Sequence, residues 1–242
     1  MNNNVFAHRG YYDVKRNVPE NSISSFKRAI KYGYGIELDV HLLKDENIVV
    51  FHDYNLKRMC GVDKRIEECT YHELLGYNLL NTKEKIPLLS DALSIINGKV
   101  PVLIETKVIK YNGKLEEKLS KIIKSYRGKI LVQSFNWRSV LWFKKRLPTV
   151  PRGILMTDVI NNKTISISNM TLKTFLVDLI LKTNFISQSI NSFPNKYLEL
   201  KRKKKKIFAW TIRTKEEYEK GKKYCDYLIC ENMEKLLTRM KL

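Results

Sequence analysis

The chain has 242 residues, with 45 Lys or Arg against 25 Asp or Glu, a formal net charge of +20, 43% hydrophobic and 29% charged positions. That hydrophobic share excludes a disordered chain, and the most apolar run, Phe175 to Leu181, is interrupted by Asp178 and falls far short of the roughly 20 residues of a membrane helix. At about 150 residues per domain two domains would be expected, yet single (β/α) barrels run to about 250, and 1–242 reads as one domain.

In chain order, Met1 to Asn4 carry no basic segment, which predicts no secretory signal and cytoplasmic residence. Eight apolar strand-like runs follow: Val5 to Ala7, Gly35 to Val40, Val100 to Ile104, Ile130 to Phe135, Gly153 to Met156, Phe175 to Leu181, Ile207 to Ile212 and Tyr227 to Cys230. Between them apolar residues recur at three and four, as in Ile23, Phe26, Ala29, Ile30 and again in Leu115, Leu119, Ile122, Ile123, which is helical spacing. Near-continuous apolar strands alternating with helices imply a parallel sheet covered by helices. Eight such units predict an α/β fold of the TIM (β/α)8 barrel type. A doubly wound open sheet is the alternative, weakened because no Gly-rich fingerprint follows any strand. The stretch from Tyr54 to Pro87 is too long for an ordinary connection and is read as an excursion over one mouth of the barrel. Its Leu74, Leu75, Tyr77, Leu79 and Leu80 suit a small core of its own or an apolar substrate entrance. Cysteines 60, 69, 225 and 230 form no CxxC pair and are read as reduced and structural.

The charged residues fall at informative places on these strands. His8 and Arg9 end the first, Glu37 and Asp39 lie within the second, and Glu105 and Lys107 close the third, all on the carboxyl side where barrel enzymes build their sites. Residues two apart on a strand share a face, so Glu37 with Asp39, and Glu105 with Lys107, project into one space. Three converging carboxylates repel unless a cation sits among them, which predicts a hard divalent ion on oxygen ligands, Mg2+ or Ca2+. The competing reading is a barrel salt bridge between Glu37 and Lys107. His52, followed by Asp53, is a second histidine that a metal cluster draws into the site with His8. His41 at a strand exit and His72 in the excursion are read as structural and surface residues.

These residues, taken in order, resemble the glycerophosphodiester phosphodiesterase family over almost the whole chain. The resemblance runs through His8, Arg9, Gly10; Pro19, Glu20, Asn21; Glu37, Leu38, Asp39; Phe51, His52, Asp53 with Leu56 and Arg58; Glu105, Thr106, Lys107; Gln133, Ser134, Phe135; Gly153, Ile154, Leu155; and Ala209, Trp210, Thr211. It implies a TIM barrel, one divalent metal, and hydrolysis of a glycerophosphodiester to glycerol 3-phosphate and an alcohol. By position, Glu37, Asp39 and Glu105 match the metal ligands, His8 and His52 the acid and base, and Arg9 and Lys107 the cations that hold phosphate. Trp210 reads equally as a wall of the substrate pocket or as core. Which histidine is the acid, and whether water or the glycerol's own second hydroxyl attacks, stays open. Two departures bear on substrate preference: Ile212, Arg213 where the family commonly has an apolar residue and Asn, and Cys230, Glu231 where it has Thr, Asp. Two further activities compete, a phospholipase D acting on lysophospholipids and a catalytically idle basic barrel at a membrane surface.

The remaining feature is six consecutive cations, Lys201, Arg202, Lys203, Lys204, Lys205 and Lys206. Such a run is either the solvated end of a surface helix or a contact with an anionic membrane surface, which would make the protein peripheral to the membrane. No nucleic-acid partner is expected. Lying before the seventh strand, the run should sit at the amino-terminal face, opposite the site.

Overall fold

The computed structural model describes residues 4–157 and 180–232, together with 234 and 236. Eight parallel strands close into a barrel: β1 (Val5–Ala7), β2 (Gly35–Leu42), β4 (Val102–Thr106), β5 (Ile130–Ser134), β6 (Arg152–Met156), β7 (Phe185–Ser189), β8 (Lys206–Ile212) and β9 (Tyr227–Cys230). Closure comes from β1, which pairs with both β9 and β2. A short strand, β3 (Ile48–Val50), lies antiparallel on β2, outside the eight. It belongs to the apolar run Ile48 to Phe51, just ahead of the excursion. The TIM barrel expected from the alternation is therefore the fold.

One expected strand is corrected. Residues 175–179 lie outside the described residues, and Ile180 and Leu181 are helical rather than strand. The sixth barrel position after β6 is taken instead by Phe185–Ser189, in register with β6 through Gly153↔Phe185 and Ile154↔Ile186. Its second half is Ser187, Gln188, Ser189, so its apolar signal is weaker than that of the preceding run; closure of the sheet, not hydrophobicity, selects it.

The alternation along each strand sorts the chain into layers. Val5, Ala7, Ile36, Leu38, Val102, Ile104 and Val132 point outward and pack against the helices. The intervening positions fill the barrel with Phe6, Leu103, Leu131, Phe185, Phe208 and Ile229. Phe185 and Phe208 approach to 4.7 Å between ring centroids, and Gly153 makes room for this packing: a Cβ there would stand 2.1 Å from Phe185 Cε2.

The helices follow from local signals. Helix α1 (Ile23–Tyr32) begins at Ser22, whose hydroxyl accepts from the Ser25 N–H, and ends at Gly33 in the left-handed conformation. Its stripe of Phe26 and Ala29 is fully buried, and Leu115 and Leu119 of α2 (Lys114–Ser125) are buried likewise. The excursion carries short helices, Lys57–Cys60 and Tyr71–Leu74, around a second small core of Phe51, Leu56, Met59, Ile66, Leu74 and Leu79. Its leucines thus serve the segment itself, with Leu75 alone among those named left well exposed. All four cysteines are free thiols, three of them buried. Among the described residues, no helix is long and apolar enough to cross a membrane.

Candidate active site

Two residues further along each strand, the barrel's apolar filling gives way to polar groups. Phe6 is followed by His8, Leu103 by Glu105 and then Lys107, Leu131 by Gln133, Phe208 by Trp210, and Ile229 by Glu231, while Gly35 leads to Glu37 and Asp39. Because all eight strands run the same way and Asp39 lies opposite Glu105, and Glu105 opposite Gln133, these groups share one level at the carboxyl-terminal mouth. They line a cavity of about 130 Å³ bounded by His8, Arg9, Glu37, His52, Glu105, Lys107, Gln133, Phe135, Trp210 and Arg213. Every site residue expected from the sequence except Asp39 is on that wall, and Asp39 lies directly beneath it, fully buried.

Glu37, Asp39 and Glu105 each present a carboxylate oxygen within 4.8 Å of the others, and all three are buried. The turn after β1 helps to fix them. Arg9 and Gly10 both have positive φ (57° and 78°), which turns the Arg9 N–H onto Glu37 Oε2 at 3.0 Å. Only glycine fits at position 10, since a Cβ would fall 2.3 Å from Ser25 Oγ. Asn21 Nδ2 donates to Asp39 Oδ2 at 2.9 Å.

The competing reading, a salt bridge between Glu37 and Lys107, is not found. Lys107 Nζ lies 2.5 Å from Glu105 Oε1 and 3.0 Å from Asp39 Oδ1, because it shares its strand face with the first and its neighbouring strand position with the second. Burial raises Glu37 well above the usual carboxylate range, and the charges of Asp39 and Glu105 push it further. Glu105 is pushed up to about 7 by burial, against the pull of Lys107. Asp39 goes the other way: burial opposes its charge, but Lys107, His52 and Arg9 together hold it below its ordinary value. Three carboxylates face two permanent cations, Arg9 and Lys107, so with all three ionised negative charge would be in excess, and the raised values of Glu37 and Glu105 show protons standing where a cation would. A hard divalent cation fits that excess and the all-oxygen donor set.

Each of the two histidines is backed by a carboxylate that is itself gripped by an arginine. His52 Nδ1 lies 2.6 Å from Asp53 Oδ1, and Arg58 binds both Asp53 oxygens through Nε (2.6 Å) and Nη2 (2.9 Å). His8 Nδ1 lies 2.7 Å from Glu231 Oε1, and Arg213 Nε donates to Glu231 Oε2 at 2.9 Å. Burial lowers both imidazoles, so each is predominantly neutral at pH 7 and can accept a proton. Glu20 joins the two halves, accepting from Arg9 Nη1 at 2.8 Å and Arg58 Nη2 at 2.6 Å. His41 is fully buried, donates to the His52 carbonyl at 3.3 Å, and is held down to about 4 by burial; it supports the His52 backbone. His72 is exposed on its short helix.

Sequence reasoning placed Glu20 and Asp53 within motifs without giving either a task. Glu231 drew notice only as a departure, because its partner at position 8 is 223 residues away and no local spacing reports it. Trp210 lines the cavity and meets the exposed Phe135 edge to face at 5.6 Å between centroids.

A closed parallel barrel with two histidines and three buried carboxylates that could hold a metal ion at its carboxyl-terminal mouth has the architecture of a barrel enzyme. The pattern of the glycerophosphoryl diester phosphodiesterase family matches residues 8–235. A glycerophosphodiester phosphodiesterase of Caldanaerobacter subterraneus subsp. tengcongensis is 30% identical over 98% of this chain and 97% of its own length. The chain therefore belongs to the glycerophosphoryl diester phosphodiesterase family. Among solved structures, the glycerophosphodiester phosphodiesterase of Thermotoga maritima superposes with a TM-score of 0.76 at 26% identity, covering 100% of this chain and 98% of that one. A phosphodiesterase of Oleispira antarctica, solved in complex with sn-glycerol-3-phosphate, superposes with a TM-score of 0.81 at 22% identity, covering 99% and 97%.

Proposed function

We propose that this chain hydrolyses glycerophosphodiesters to glycerol 3-phosphate and an alcohol, with His8 and His52 transferring the protons and with 1–242 acting as one catalytic domain. The observation that carries the reading is the pair of imidazoles on one cavity wall, each tied through Nδ1, which reserves Nε2 for proton transfer. A phosphodiester anion repels nucleophiles, so its oxygens must be neutralised as charge builds on them. Arg9 and Lys107 both line the cavity and are placed to do this. Glu37, Asp39 and Glu105 would hold one divalent ion, Mg2+ or Ca2+, which when bound supplies Lewis-acid charge for the phosphoryl oxygens.

In the reaction an oxygen nucleophile, from water or from the substrate's own free hydroxyl, bonds to phosphorus while the bond to the leaving alcohol breaks. One histidine, entering neutral, takes the proton of the attacking oxygen, and the other, entering as the imidazolium, gives its Nε2 proton to the departing alkoxide. With water the products are complete; with the internal hydroxyl a cyclic phosphate forms and a second hydrolysis completes the reaction. Trp210 and Phe135 give the cavity one apolar wall for the carbon skeleton.

The test is choline release from glycerophosphocholine and from lysophosphatidylcholine, each with and without a chelator. We expect release from glycerophosphocholine that chelation abolishes and added Mg2+ or Ca2+ restores. Release from lysophosphatidylcholine alone would assign a lysophospholipid-directed phospholipase D instead. Metal-independent release would remove the role given to the carboxylates, and no release from either substrate would leave an idle barrel.

A further inference from the structure

Two of the positions at which this chain departs from its family's pattern, Arg213 and Glu231, are bonded to each other. Strand β8 ends at Ile212 and β9 at Cys230, and these two residues are register partners across a bulge that begins at Ala209. The backbone ties the ends together: Glu231 N–H donates to the Ile212 carbonyl at 2.9 Å, and His8 N–H donates to the Cys230 carbonyl at 2.9 Å. Glu231 is thereby held between Arg213 on one side and His8 on the other. Its carboxylate takes the Arg213 Nε–H on Oε2 and the His8 Nδ1–H on Oε1, with Arg213 Nη2 a further 3.4 Å from Oε1.

We propose that Glu231 and Arg213 form a positioning clamp for His8, in which the carboxylate fixes the imidazole as the Nδ1–H tautomer with Nε2 facing the cavity and the guanidinium fixes the carboxylate. This rests on the role proposed above for His8, but asks a separate question of it. Three observations converge on the clamp. First, the side chains of Glu231 and His8 are each only 12% exposed whereas that of Arg213 is 53% exposed, so the contact is anchored inside and charge-balanced from outside. Second, an ionised carboxylate only accepts, which leaves Nδ1 as the donor; burial works against that charge, yet the His8 hydrogen bond and Arg213 keep Glu231 down to about 2. Third, the arrangement at His52 is the same in kind, with Asp53 and Arg58 in the corresponding places. The adjoining Asp53 reaches its histidine from the next residue along the chain, whereas Glu231 reaches His8 from another strand. The clamp assigns the Arg213 guanidinium to Glu231 rather than to substrate phosphate.

The clamp is tested with Glu231→Gln, Glu231→Asp, Arg213→Gln and wild type, assayed on glycerophosphocholine with the metal supplied, beside 15N shifts of the His8 ring. Glu231→Gln keeps the size of the side chain but can donate to the ring as well as accept. We expect its kcat to fall about ten- to hundredfold, the range associated with carboxylates standing behind a functional imidazole, with KM changed less than about twofold. The His8 15N pattern should then show a mixture of tautomers. Glu231→Asp should recover part of the lost kcat, which also keeps the test decisive if the Gln variant folds poorly. Arg213→Gln should lower kcat less than Glu231→Gln does. A Glu231→Gln protein with wild-type kcat and an unchanged 15N pattern overturns the clamp while leaving diester hydrolysis standing. A rise in KM alone for Arg213→Gln would overturn the assignment of the guanidinium to Glu231. If wild type releases no choline, the hydrolysis reading fails, and the 15N comparison still decides whether Glu231 fixes the ring.

Discussion

The two ends of the barrel both carry many charges and treat them in opposite ways. At the carboxyl-terminal mouth Glu37, Asp39, Glu105, Lys107 and Arg9 are buried or nearly so and are bonded to one another across the ends of three strands. At the amino-terminal end the six-cation run caps the helix Lys196–Arg202 and leads into β8. There Lys203, Lys204 and Lys206 are exposed, and Arg202 and Lys206 share one carboxylate, Asp226. Burying unlike charges together costs desolvation that pairing only partly offsets, so a sequence keeps such a cluster where the charges have a task; exposed pairs cost and contribute little. The difference teaches that the +20 excess says less about activity than the handful of charges taken out of water.

The largest expected effect breaks the mouth. His8→Ala and His52→Ala should each lower kcat by roughly a hundredfold or more while the circular dichroism spectrum stays that of wild type. A diester with a very acidic alcohol should rescue the variant lacking the general acid and not the other. Wild-type kcat in both variants would return the histidines to a structural role.

A smaller effect sharpens the account of the buried carboxylates. Glu105 is raised from its usual 4.5 to about 7 in the fold, so in metal-free protein its ionisation opposes folding. A raised carboxyl is most favourable to the fold below its unfolded value, and that contribution is lost as pH rises from about 4.5 through 7. Glu105→Gln should therefore gain stability relative to metal-free wild type over that window, read as a higher urea midpoint at pH 7 than at pH 4 when each is compared with wild type. Added Mg2+ or Ca2+ should stabilise wild type more than the variant. A variant strongly destabilised without metal would instead make the Glu105 contact with Lys107 a structural ion pair.

The smallest effect belongs to the other end. Replacing Lys203, Lys204, Lys205 and Lys206 with Gln should leave turnover of glycerophosphocholine within about twofold, since the run lies on the face opposite the site. If the run also contacts an anionic bilayer, sedimentation with vesicles rich in anionic lipid should fall in the quadruple variant and in high salt. Unchanged sedimentation would leave it as the solvated end of a helix. A large loss of turnover would mean that the basic field steers substrate to the mouth.

Much of the molecule was legible before its fold. Apolar runs at the right spacing announced seven of the eight barrel strands, and a period of two placed Glu37 with Asp39, and Glu105 with Lys107, on shared faces. The missed strand, Phe185–Ser189, shows why pattern reading stops there: its polar half faces a mouth that exists only once the barrel closes, so hydrophobicity alone favoured the run before it. The excursion was legible as an interruption, but its leucines could be assigned to a local core only when Phe51, Met59 and Ile66 were seen around them.

What the sequence by itself determined is the layering, because alternation along a strand is a local property: outward apolar residues, inward fillers and polar groups two positions further on. What only the tertiary structure decided is which charges meet. Lys107 chose Asp39 and Glu105 over Glu37, and Glu231 reached His8 across 223 residues, because barrel closure brings β9 beside β1. Electrostatic partnership is set by distance through space and by burial, and neither quantity is written in the spacing of residues along a chain.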